Sequence, residues 1–136
     1  MKVVKITHVI GFLILFTVFT GCEKGSSTTD ATRDSYLGEW IVSESSTKSS
    51  YQVTITADPN SANGVLIAGF ANTLPTDPYA GAVVSGTTIT LDENQVIGDG
   101  LKIAGSGNLS GKTITWNYTI NDGADLTHVV AIYSKL

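Results

Sequence analysis

Cysteine, histidine and positive charge are all scarce in this chain of 136 residues. Cys22 is the only cysteine, so no intrachain disulfide can form and a thiolate zinc site has no ligand set. Of the two histidines, His8 lies in the N-terminal segment and His128 in the last apolar stretch; Arg33 is the only arginine. No apolar run reaches the ~20 residues that a helix needs to cross a hydrocarbon core. From Cys22 onward twelve Asp or Glu stand against six Lys or Arg, a formal charge of −6. Such a surface is repelled by nucleic acid and by anionic headgroups, which argues against a nucleic-acid partner. The body also lacks any window of helical period.

The N-terminus carries a definite pattern. "MKVVKITH" holds Lys2 and Lys5 and no acid, and Val9 to Phe19 is a nearly unbroken apolar run. A positive start, a short apolar middle and small residues at the end describe an export signal. Cleavage before Cys22 would place bulky Phe19 at −3, which is wrong for an ordinary secretory site. Phe19-Thr20-Gly21-Cys22 instead resembles a bacterial lipobox, with Phe where Leu is usual. The resemblance implies a signal peptide over 1–21 and a diacylglyceryl group on the sulfur of Cys22. One acyl chain binds marginally and two hold firmly, at ~0.8 kcal/mol per buried methylene. Lipidation of Cys22 would make the membrane a partner and place the protein in the bacterial cell envelope. The outer membrane is favoured, on its periplasmic side or at the surface.

Residues 22–34 form the lipidated cysteine and a tether. "EKGSSTTDATRD" has linker composition, and twelve such residues reach an r.m.s. distance of ~20 Å. The folded domain then spans 35–136, long enough for one modest core.

That domain reads as β throughout. In "YQVTITA", Tyr51, Val53, Ile55 and Ala57 face one way; in "KTITWNYTI", Ile114, Trp116, Tyr118 and Ile120 share a face. Ser85-Gly86, Asp99-Gly100, Ser110-Gly111 and Asp122-Gly123 read as tight turns. Eight strands are expected near 39–44, 50–57, 64–71, 79–85, 87–97, 101–109, 112–121 and 125–135. The fifth is either one strand bent at Asp92 to Asn94 or two short strands. "VSGTTIT" and "LSGKTIT" echo each other, and recurrence of Ser-Gly turns in a meander accounts for this. Ile103, Gly105, Gly107 and Leu109 lie on one face, where the glycines either let strands coil sharply or make room for a ligand. The spacing predicts an all-β compact eight-stranded antiparallel up-and-down barrel, with a β-sandwich as the alternative.

"YLGEWIV" at the first strand carries the G-x-W of lipocalin-like proteins in Gly38-Glu39-Trp40. With the lipobox and the meander, the chain resembles small lipocalin-like lipoproteins of Bacteroides-type bacteria. The resemblance implies that Trp40 plugs the closed end of the barrel. The late arginine that lipocalins set over this tryptophan is missing.

Chemistry has few candidates. His128 alone makes no catalytic set, no nucleophile elbow is present, and Asp92-Glu93 sit in a turn or bulge. "NDGAD" lacks the ligand positions of a calcium loop. No catalytic residue, metal ligand or cofactor is therefore assigned, and the chain is expected not to be an enzyme. Two readings remain. In one the barrel is a non-catalytic envelope interaction or structural module, with an envelope protein as partner. In the other it binds a small apolar ligand, with Tyr51, Trp116 and Tyr118 as wall. Antiparallel connectivity puts loop Ser45 to Ser49 and loop 72–79 at one end, opposite the tether.

Overall fold

The computed structural model describes residues 32–136. Cys22, the expected export signal and most of the expected tether lie outside them. Nine strands follow in order: β1 (Gly38–Glu44), β2 (Ser50–Ala57), β3 (Gly64–Ala68), β4 (Ala80–Ser85), β5 (Thr88–Leu91), β6 (Val96–Ile97), β7 (Leu101–Ser110), β8 (Thr113–Asn121) and β9 (Leu126–Lys135). All pairings are antiparallel. The pairings β1–β9 and β5–β7 close eight of the strands into a barrel, and β6 adds a short extra partner to β7. Among the described residues, closure pairs both sides of the eight barrel strands, which removes the long free edges of an open sheet.

Period-two patterning fixes which residues point inward. Trp40, Val42, Val53, Ile55, Ile114 and Trp116 are all essentially inaccessible to solvent, while Gln52, Thr115 and Asn117 between them are exposed. The two echoing segments become neighbouring hairpins. Gly86 and Gly111 each take φ of 60° at the first central position of a two-residue turn, a conformation glycine adopts at no steric cost.

One expected strand is corrected and one open choice is decided. The third ends at Ala68 rather than 71, because Gly69 enters the left-handed region at φ 80° and starts a one-turn 3₁₀ helix over Phe70–Asn72. A Cβ at Gly69 would lie 3.2 Å from the Gln52 carbonyl oxygen, so the break needs glycine. The fifth proves to be two strands. After Leu91 the chain leaves the sheet, Asn94 takes φ of 59°, and Gln95 replaces a strand partner. Its side-chain oxygen accepts from the Gly81 N–H at 2.7 Å and its amide donates to the Gly81 carbonyl at 2.8 Å.

The end nearest the N-terminus is sealed. Residues 32–34, assigned to the tether on composition, form a helical turn under the barrel, where the Arg33 guanidinium donates to the Ser61 carbonyl at 3.0 Å. Tyr36 is fully buried there, and Trp40 Nε1 donates to its carbonyl at 2.9 Å. Lys135 supplies a late cation, its Nζ lying 5.3 Å from the Trp40 ring centroid and donating to the Ser35 carbonyl at 2.9 Å.

Candidate functional site: the open end of the barrel

The opposite end is built from the β1–β2 loop, the 69–79 segment, the turns flanking β6 and the β8–β9 turn. Phe70 is decisive here. The break at Gly69 turns its ring into the barrel, where it meets Trp116 edge-on at 5.3 Å, Tyr118 at 4.8 Å and Tyr133 at 6.4 Å between centroids. Trp116 and Tyr133 are themselves 5.8 Å apart. Four rings therefore fill the upper interior, and such edge and tilted contacts are the favoured aromatic geometries. The bare face of β7 belongs to this packing. A Cβ at Gly107 would lie 2.9 Å from Ile114 Cγ2 and from Trp116 Cδ2, so Trp116 and its neighbours use the room that the missing side chain leaves.

Above the rings sits the one buried acid among the described residues, Glu44, only 8% exposed. Its Oε1 accepts from the Tyr51 hydroxyl at 2.5 Å and from the Tyr118 hydroxyl at 2.7 Å. Thr47 donates weakly to Oε2 at 3.4 Å. Burial pushes the Tyr51 phenol far above its ordinary range, and the Tyr118 phenol and Glu44 add to the effect. Tyr118 rises for the same first reason, then through its hydrogen bond to Glu44. Tyr133 rises by burial, with Tyr51 and Glu44 contributing.

Glu44 also lines a recess of about 250 Å³ that opens at this end. Hydroxyls and amides of Ser46, Thr47, Ser49, Asn72 and Thr127 rim it, with Ala71, Ile120 and Val129 as apolar wall. Charge is concentrated here too. Asp77, Asp92, Glu93, Asp99, Asp122 and Asp125 join Glu44 at the open end against Lys48 and Lys102, a formal −5 among the described residues. At the sealed end Asp34, Glu39 and Asp58 are balanced by Arg33, Lys112 and Lys135.

The sequence-derived site residues separate accordingly. Tyr51 and Tyr118 come together on Glu44, whereas Trp116 is fully buried beneath Phe70 and lies outside the recess. Glu44 and Phe70 were missed. The signal for Glu44 was present, since Trp40 and Val42 point inward and Glu44 has the same parity. His128 lies exposed on the outer face of β9 opposite Thr119. Among the described residues no three His, Cys, Asp or Glu side chains gather as a metal site, and no helix is long and apolar enough to cross a membrane. Comparison with protein-family models, curated proteins and solved structures returned no significant match.

Proposed function

We propose that this chain is a lipoprotein of the bacterial envelope, anchored through lipid on Cys22, whose acidic barrel is a non-catalytic interaction module. One observation carries the choice over an apolar-ligand carrier. The inward rings of Phe70, Trp116, Tyr118 and Tyr133 occupy the upper interior where a lipocalin-like ligand would sit, which leaves the open-end loops as the contact surface. The sealed end follows the anchor, so the acidic end faces away from the membrane. Fold alone assigns no ligand, and the reading rests on how the interior is filled.

The test is native mass spectrometry of the full chain extracted from envelope membranes, with in-membrane cross-linking from residues of the open-end loops. A mature N-terminus at Cys22 carrying acyl mass, with cross-links from loops 45–49 and 72–79 to an envelope protein, is the expected result. A reproducible apolar small molecule that leaves on denaturation would overturn the interaction reading in favour of a carrier. A Cys22→Ser chain is expected in the soluble fraction.

A further inference from the structure

The geometry points to the recess over Glu44 as a binding site for a primary ammonium group on a short apolar stem. The proposal rests on the reading of the open end as the contact face and names what that face recognises.

A buried carboxylate must be compensated, because removing a charge from water is costly unless it is paired. Glu44 receives two phenol hydrogen bonds on Oε1 and a long hydroxyl contact on Oε2, yet no Lys, Arg or His of the described residues pairs with it. Those hydrogen bonds come from neutral groups and leave the formal charge in place. The recess beside it is below the ~300–1,000 Å³ of drug-sized pockets, so its occupant is a small molecule or the tip of one side chain. Its chemistry is divided, with carboxylate and hydroxyl acceptors together and aliphatic wall from Ala71, Ile120 and Val129. That combination suits an ammonium, whose donors need several acceptors, attached to a few methylenes. The acidic loops around it lower the potential at the mouth and would steer a cation inward.

The same chemistry has two sources, a free alkylamine or a lysine side chain of a partner protein. The experiment separates them. The full chain in uncharged detergent micelles is titrated at low salt with n-butylammonium, with the peptide acetyl-Gly-Lys-Gly-amide, and with neutral 1-pentanol as shape control. Amide shifts of Ser46, Thr47, Asn72 and Thr127 report occupancy. Butylammonium is expected to bind at least tenfold more tightly than pentanol, and Glu44→Gln is expected to erase that preference. Thr127→Arg, at an exposed rim position, places a cation at the mouth and is expected to abolish amine binding without disturbing the core.

A peptide at least tenfold tighter than butylammonium identifies a partner lysine; comparable or weaker binding identifies a small amine. Equal binding of pentanol and butylammonium overturns the proposal, as does an unchanged preference in Glu44→Gln. If Glu44→Gln fails to fold, amine binding that survives Thr127→Arg overturns it. Absence of binding in both amine arms also overturns the ammonium site, while the loop cross-links independently decide the contact face.

Discussion

The hydroxyls of Tyr51 and Tyr118 meet on the same carboxylate oxygen of Glu44, one reaching from β2 and the other from β8 across the barrel. The three side chains act as one polar unit, so deletions should not add. Tyr118→Phe removes a buried charge-assisted hydrogen bond and is expected to cost about 1.5–3 kcal/mol in urea unfolding. Tyr51→Phe should cost less, because Tyr51 is only partly buried and water can take the vacated position. In a Glu44→Gln background the Tyr118→Phe cost should shrink, leaving a coupling of about 0.5–3 kcal/mol. Strict additivity would show that the three groups stabilise the barrel independently.

Trp116 and Gly107 occupy complementary space on β8 and β7. Trp116→Ala empties a fully buried ring site and is expected to cost about 3–5 kcal/mol. Gly107→Ala pushes a methyl into the same packing and should cost about 1–3 kcal/mol. Combined with Trp116→Phe, which frees room on that side, the Gly107→Ala penalty should fall. A Trp116→Ala loss below about 1 kcal/mol would mean that the ring borders space rather than fills it, a result that favours a carrier.

The barrel was legible because its signal is redundant. Alternation in "YQVTITA" and "KTITWNYTI" set the inward faces, and paired Ser-Gly turns set the hairpins, so each level repeated the same answer. The places that were misread or left open share one cause. "GVLIAGFA" is apolar throughout, and nothing in its composition says that Gly69 will leave the strand and throw Phe70 inward. The fifth stretch stayed open between one bent strand and two short ones, because Gln95 satisfying Gly81 is a contact between residues that periodicity cannot join. Glu44 was overlooked for the opposite reason. Its parity was clear, but an acid invites the default of solvent, and only the arrival of two phenols from other strands makes burial tolerable. The tertiary partner was the missing information in all three.

At the sealed end the Lys135 ammonium lies over the Trp40 ring, 5.3 Å from its centroid. The ammonium on the ring face and its bond to the Ser35 carbonyl tie β9 to the N-terminal turn. Lys135→Met keeps the stem and removes both interactions, and should cost about 0.5–2 kcal/mol. Lys135→Arg retains a cation over the ring and should recover most of that loss. The two variants are compared by thermal unfolding, with Trp40 emission as a local readout. Equal loss in both would assign the effect to side-chain shape instead of charge.

Alkaline pH should unfold the barrel through its tyrosines. Burial holds Tyr36 up to about 12, and holds Tyr51, Tyr118 and Tyr133 well above their ordinary value. A phenol whose folded value is raised binds its proton more tightly in the folded state. Below about pH 10 both states are protonated and stability is unaffected by these groups. Above it the unfolded chain loses protons that the folded barrel keeps, so stability falls by up to about 1.4 kcal/mol per pH unit for each such phenol. Tyr36 stops contributing to the slope above pH of about 12, where its folded form ionises too. The expected record is a cooperative loss of β-sheet circular dichroism above pH 10, with phenolate absorbance from these four rings rising in the same transition. Ionisation of the four phenols well before the sheet signal falls would show that solvent reaches the upper interior, and would reopen that space to a ligand.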